Sequence, residues 1–350
     1  MRTQIVQVNE QNIDQELIDQ AGYIIKSGGL VAFPTETVYG LGGDALSPES
    51  SKKIYAAKGR PSDNPLIVHI CRMEDLAHIV REIPEAALKL AKAYWPGPLT
   101  MIFNKSELVP YETTGGLDTV AVRFPSHPVA RAFIEASGGY VAAPSANISG
   151  RPSPTLAKYV TEDMNGRIDM ILDGGDVEIG LESTIIDMTA KEPMILRPGY
   201  ITRKMLEDIL SSVDEDGTIM NDDSKQAPKA PGMKYRHYAP KAELTIVDGE
   251  ADSVVDYING ELCRLKQEGH KTGVIAANDT IARYKADICK NIGNRNDEKA
   301  IARELYRILR EFDDEKTTVI YSEAFDTSGV GQAVMNRLLK AAGHKIIYLK

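Results

Sequence analysis

Short apolar runs alternate along the chain with longer stretches whose apolar positions recur at helical spacing. The runs Leu30–Phe33, Leu66–Ile70, Leu99–Phe103, Thr119–Arg123, Tyr140–Ala143, Met170–Leu172, Ser183–Asp187 and Met194–Arg197 predict strands. Between them, Gln15–Ser27, Pro48–Ala57, Pro84–Tyr94, Pro128–Ser137 and Pro154–Met164 predict helices. Several of these carry Pro near the first turn, where its missing N–H costs nothing. Thr202–Leu210 predicts a closing helix. The strands are too many and too closely spaced for a simple βαβ array. The pattern therefore predicts an α/β domain over residues 1–210 with a twisted, mixed sheet.

From Ser211 to Lys241 the periodicity is lost. Asp214, Glu215, Asp216, Asp222 and Asp223 make the first half acidic, which predicts a mobile stretch. The second half, Ala227 to Pro240, is basic, aromatic and stiffened by proline, and it gathers Tyr235, Arg236, His237 and Tyr238. Residues 211–241 read as a linker, and the residues serve a lid or a semi-rigid spacer equally well. After Ala242 strands and helices alternate again: strands at Leu244–Val247, Thr272–Ala276, Thr318–Tyr321 and Ile346–Leu349, with helices at Asp252–Gln267, Glu298–Phe312 and Gly331–Ala342. That alternation predicts a small parallel, Rossmann-like α/β domain over residues 242–350. Gly329-Val330-Gly331 opens its last helix without a full G-x-G-x-x-G, so it reads as helix-start chemistry.

Composition narrows the class. At 350 residues the chain suits two domains, and 43% hydrophobic with 26% charged residues is ordinary for a globular protein. A net charge of -9 argues against a general nucleic-acid coat but leaves room for a local basic cleft. No apolar run approaches the ~20 residues of a membrane span. The polar stretch Met1–Gln15 lacks a secretory pattern. Cys71, Cys263 and Cys289 are scattered, which fits a cytoplasmic location and offers no cysteine zinc site. The histidines show no ligand spacing, so no transition metal is expected.

The chemistry concentrates in four segments of the first domain. Lys58-Gly59-Arg60-Pro61-Ser62-Asp63-Asn64-Pro65 puts two cations, a hydroxyl and an amide on a backbone that cannot be regular helix. Such a loop is suited to an anion, and phosphate matches the Arg fork and the Lys point charge. Pro34-Thr35-Glu36-Thr37-Val38-Tyr39-Gly40-Leu41-Gly42 follows one predicted strand, Thr119–Arg123 ends in a cation, and a hydroxyl-rich loop from Ala142 to Ser153 follows another. Each alone fits a cap, a turn or an ion pair, and Gly40 and Gly42 alone fit ordinary turns. His69, in an apolar strand, fits a hydrogen-bonded core residue. Four such loops at strand ends in one domain point to one crevice. A P-loop, a nucleophile elbow, a Cys/His pair and a carboxylate pair are all missing from the sequence. A site of cations, hydroxyls and amides works by positioning and charge stabilisation, and adenylation of a carboxylate suits it.

Six motifs together carry a resemblance: Phe33 to Leu41, Lys58 to Leu66, Trp95-Pro-Gly-Pro-Leu-Thr100, Pro144 to Gly150, Leu181-Glu-Ser-Thr-Ile185 and Leu196-Arg-Pro-Gly199. The chain resembles the YrdC-like threonylcarbamoyl-AMP synthases, and its linker ending in His237-Tyr-Ala-Pro240 resembles their longer two-domain branch. The resemblance implies conversion of L-threonine, bicarbonate or CO₂, and ATP into threonylcarbamoyl-AMP and pyrophosphate. It further implies that a separate tRNA threonylcarbamoyl transferase complex delivers the product to adenosine beside the anticodon. Carried over by motif, the threonine site is Thr37, His69, Arg123, Ala143 and Ser183. The ATP site is Lys58, Arg60, Asn64, Thr119, Ser145, Asn147, Ser153, Arg197 and Tyr238, with Lys58 and Arg60 also catalytic. Tyr238 closes over the nucleotide in this reading, which favours the lid. Mg²⁺ is expected to arrive on the nucleotide, through ligands the sequence does not name. Two other classes stay open on the residues alone: an RNA-binding module, and a carbamoyl-adenylating enzyme indifferent to threonine.

Overall fold

Local chemistry sets where the helices start and stop. Ser47 accepts the Ser50 N–H at 3.3 Å and Pro48 fills the first turn of the helix that follows. That helix ends where Gly59 takes a left-handed φ of 62°. Asp14 caps the preceding helix by accepting from the N–H groups of Glu16 and Leu17.

The computed structural model describes residues 2–217, 219 and 237–349. These fall into two compact units, one of the described residues up to 149 and from 153 to 219, the other of 150–152 and 237–349.

In the first unit the elements run β1 (Gln4–Gln7), α1 (Gln15–Lys26), β2 (Val31–Phe33), β3 (Gly40–Asp44), α2 (Pro48–Lys58) and β4 (Ile67–His69). Then come α3 (Met73–Ile79), α4 (Glu85–Tyr94), β5 (Leu99–Asn104), α5 (Tyr111–Thr114), β6 (Thr119–Arg123) and α6 (Pro128–Ala136). The unit closes with β7 (Val141–Ala142), α7 (Ala157–Met164), β8 (Met170–Asp173), β9 (Thr184–Asp187), β10 (Met194–Arg197), α8 (Arg203–Leu210) and β11 (Asp214–Glu215). Its strands form one mixed sheet in the order β1-β8-β2-β3-β7-β4-β6-β5-β9-β10-β11.

Alternation along the strands assigns the two faces. Val31, Phe33, Val141 and Met170 pack with Ile18, Ile25, Val129 and Phe133 of α1 and α6. Ala32, Val68, Met101 and Val122 turn the other way, into the larger core with Ile54 of α2 and Leu90 of α4. Farther along the first face, β4, β6, β5, β9 and β10 contribute a small apolar floor of Ile67, Ala121, Ile102, Ile185 and Leu196.

Two departures from expectation have clear causes. Gly40 and Gly42 are not turn residues but lie in β3, and Cβ atoms there would approach Phe33 at 3.0 Å and Val141 at 2.9 Å. The stretch from Ser211, expected to be irregular and mobile, begins with β11, which pairs parallel to Met194 and Ile195. Buried Val213 and Ile219 anchor it. The remainder of the expected lid, residue 218 and residues 220–236, lies outside the described residues.

In the second unit, β12 (Glu243–Asp248), α9 (Ala251–Gln267), β13 (Thr272–Ala276) and β14 (Ile288–Asn291) are followed by α10 (Glu298–Asp314), β15 (Val319–Glu323), α11 (Gly331–Ala341) and β16 (Ile346–Tyr348). All five strands are parallel, in the order β14-β13-β15-β12-β16. The Gly331 N–H that opens α11 donates to Glu298 Oε2 at 3.0 Å, and Gly329 has φ of 52°. That glycine run is therefore a helix start held by a carboxylate of the chain itself.

Candidate active site

Strand register brings the polar side chains together before any side-chain contact is considered. His69 and Arg123 are partners across β4 and β6, and Arg123 and Thr100 are partners across β6 and β5. Adjacent strands are about 4.8 Å apart, so the three side chains form a row along one end of the sheet. Ser183, just before β9, extends it, its Oγ lying 2.7 Å from Thr100 Oγ1. Arg197 closes that end, donating from Nε and Nη2 to the Ser183 carbonyl at 3.1 and 3.0 Å.

A buried arginine needs a counter-charge, and Glu36 supplies it. Glu36 Oε1 lies 2.9 Å from Arg123 Nη2, with both side chains about 5% exposed or less. The same oxygen accepts the Ser126 N–H at 3.2 Å. Burial alone would raise the Glu36 carboxyl, but the charge and hydrogen bond of Arg123 hold it below its ordinary value. Glu36 Oε2 and Arg123 Nε are buried with no hydrogen-bond partner among the described residues.

His69 pairs through Nδ1 with the Ile67 carbonyl at 3.1 Å and meets Phe33 edge-on. Burial, then the nearby Arg123 charge, lowers its pKa to about 3. His69 is thus a neutral imidazole at physiological pH, with Nδ1–H as donor. Below the unfolded value of about 6.5 the unfolded chain binds a proton that the fold refuses. His69 therefore removes stability as pH falls from about 6.5 toward 3. Between pH 6.5 and 5 this amounts to at most about 2 kcal/mol. Urea unfolding of the wild type and His69→Gln should show that the variant loses less stability across this window, and equal losses would refute a neutral buried His69.

Lys58 is tied into the loop at 145–149 and Arg60 into its own. Lys58, the last residue of α2, is 1% exposed, and its Nζ donates to the carbonyls of Ser145 and Asn147, each at 2.5 Å. The Ser149 N–H returns to the Lys58 carbonyl at 2.9 Å. Arg60 turns back on its loop, donating to Asn64 Oδ1 at 2.6 Å, the Asn64 carbonyl at 3.1 Å and the Pro65 carbonyl at 3.0 Å. Ser145 Oγ donates to Asn147 Oδ1 at 2.5 Å. The buried Ser153 hydroxyl donates to Glu182 Oε1 at 2.6 Å.

The segment 35–40 runs between the two groups. Glu36 pairs with Arg123, Thr37 Oγ1 lies 2.9 Å from Thr35 Oγ1, and Gly40 bridges to Ser145. Ala143 spends its N–H on the Ile67 carbonyl, so a ligand there would meet its carbonyl or methyl. Thr119 stands at the far end of β6 from Arg123, about 13 Å away along the strand, with the apolar floor between. Tyr238 belongs to the second unit, where its ring stacks on Tyr306 at 5.1 Å and its φ is 65°. Among the described residues no group of three or more His, Cys, Asp or Glu side chains could hold a metal ion.

Three contributors are not singled out by sequence reasoning: Glu36, Glu182 and Thr100. All three sit inside the quoted motifs, and for Glu36 and Glu182 an acidic residue within a loop suited to anions was the available signal. Gly199 is a fourth. A Cβ there would lie 2.5 Å from the Thr184 backbone N and 2.9 Å from the Glu182 carbonyl, so only glycine lets this loop sit behind Ser183.

Comparison with known proteins agrees along the whole chain. The family model described as "Telomere recombination" matches residues 23–199, and the model described as "Threonylcarbamoyl-AMP synthase, C-terminal domain" matches residues 201–343. A threonylcarbamoyl-AMP synthase of Pyrococcus abyssi is 48% identical over 345 residues, covering 99% of each chain. That of Bacillus subtilis is 44% identical over 340 residues, covering 97% of this chain and 96% of the relative. The crystal structure of P. abyssi Sua5 complexed with L-threonine superposes with a TM-score of 0.94 at 47% identity, over 99% of this chain and 100% of that one. With both halves matched and the fold shared from end to end, the chain belongs to the threonylcarbamoyl-AMP synthase family.

Proposed function

We propose that this chain joins L-threonine, CO₂ from bicarbonate, and ATP into threonylcarbamoyl-AMP, releasing pyrophosphate. The observation that carries the reading is the row of His69, Arg123 and Thr100, with Ser183 beside it, at one end of the sheet. Arg123 takes the threonine carboxylate, a charge-assisted contact of roughly 1.5–3 kcal/mol. Thr37 and Ser183 meet the polar groups of threonine, and neutral His69 adds a hydrogen bond without a competing charge. The nucleotide lies toward Lys58, Arg60, Asn64, Ser145, Asn147 and Ser153, with Thr119 at the far end of the floor and Arg197 beside Ser183.

The threonine amine captures CO₂, and the resulting carbamate oxygen attacks the α-phosphorus while the bond to pyrophosphate breaks. Lys58 and Arg60 stabilise the charge on the leaving group. Magnesium fits as an ion carried by the nucleotide, since the first unit offers cations and hydroxyls at this place. When bound it offsets phosphate charge. The product is a labile mixed anhydride, so exclusion of water from the site protects it. A tRNA threonylcarbamoyl transferase complex then consumes it. No helix among the described residues is long and apolar enough to cross a membrane, in keeping with a cytoplasmic setting.

Pyrophosphate release from ATP and bicarbonate, measured with and without L-threonine, tests the reading. Release should depend on threonine. Release without it would favour a carbamoyl-adenylating activity, and no release with either would favour a binding role.

A further inference from the structure

The Arg123–Glu36 pair has one property that an isolated carboxylate-binding arginine lacks: it is electrically neutral. An amino acid is a zwitterion, whereas a simple hydroxy acid is an anion. Bare Arg123 would accept either, but with Glu36 2.9 Å from it an unaccompanied carboxylate meets both a cation and an anion. Glu36 is 4% exposed, and its Oε2 has no hydrogen-bond partner among the described residues, as does Arg123 Nε. A buried carboxylate oxygen left without a donor is costly unless a ligand supplies one. Thr37, next in sequence, is fully buried beside it, and His69 is the strand neighbour of Arg123. The unmet acceptor and the unmet donor therefore belong to one small group of residues.

We infer that Glu36 Oε2 accepts the α-nitrogen of threonine while Arg123 takes its carboxylate, making the pair a reader of zwitterions. This rests on the threonine reading above. Capture of CO₂ needs the free amine, so the ammonium releases one proton to solvent before the N–C bond forms and a second as it forms; the carbamate keeps one N–H, and the contact to Glu36 persists. Glu36 then does two things: through Oε1 it holds Arg123, and through Oε2 it selects the substrate.

The test is calorimetric titration of the full-length protein with L-threonine and with 3-hydroxybutanoate, which keeps the carboxylate and hydroxyl but lacks the amine. Wild type should bind threonine about ten- to a hundredfold more tightly. In Glu36→Gln, which keeps the shape but not the charge, the ratio should fall to within about threefold of one. A Glu36 that only positions Arg123 would weaken both ligands alike, and an unchanged ratio in the variant overturns the inference. Equal affinities in the wild type overturn it without recourse to the variant. No threonine binding to wild type overturns the threonine reading together with this assignment.

Discussion

Arg123→Ala is expected to abolish threonine-dependent pyrophosphate release and to lower stability by about 3–5 kcal/mol. The second effect follows from burial: the substitution leaves the Glu36 carboxylate, 4% exposed, without its cation. Glu36 would then take up a proton more readily, because burial already pushes that carboxyl upward and Arg123 is the largest influence holding it down, ahead of the Ser126 N–H. Stability and activity can be separated. Pairing Arg123→Met with Glu36→Gln removes both charges together, so urea unfolding should recover much of the lost stability while pyrophosphate release stays absent. Full activity in Arg123→Ala would remove this residue from the threonine carboxylate.

Lys58→Met carries the second large effect. The side chain fills similar space, so its loss is that of the ammonium, which joins the carbonyls of Ser145 and Asn147 to the end of α2. Leaving one buried and one half-buried carbonyl without this donor should cost about 1–3 kcal/mol. If Lys58 stabilises the phosphates as proposed, removing its charge should lower turnover at least about a hundredfold. Threonine affinity, measured by calorimetry without ATP, should change little, because the Lys58 ammonium is held by the carbonyls of Ser145 and Asn147, in the loop proposed for the nucleotide. Turnover within a few fold of wild type would exclude Lys58 from phosphate stabilisation.

Much of the fold is legible in the sequence because strands buried on both faces stand out as short, nearly continuous apolar runs. Thr119–Arg123 and Met194–Arg197 are strands to the residue. What escapes is what carries no such run. Three of the five residues of Gly40–Asp44 are glycine, so no periodic signal marks that strand, and neighbouring Phe33 and Val141 fill the space instead. Gln4–Gln7 is an edge strand, mostly exposed, with too few apolar residues to stand out. For the site, sequence locates the polar loops because they adjoin strands. It does not say which side chain faces which. That Arg123 lies between His69 and Thr100 is a matter of sheet register, and that Glu36 pairs with Arg123 depends on residues 87 positions apart in the chain.

The run from Thr35 to Gly40 touches both ends of the candidate site, holding Arg123 at one end and bridging to Ser145 at the other. In the proposed reading, a single strip of backbone thus forms a common wall for amino acid and nucleotide. Whatever ordering one substrate imposes on that wall is already in place when the second arrives. Cooperativity between them then has to be mutual, each raising the other's affinity by the same factor.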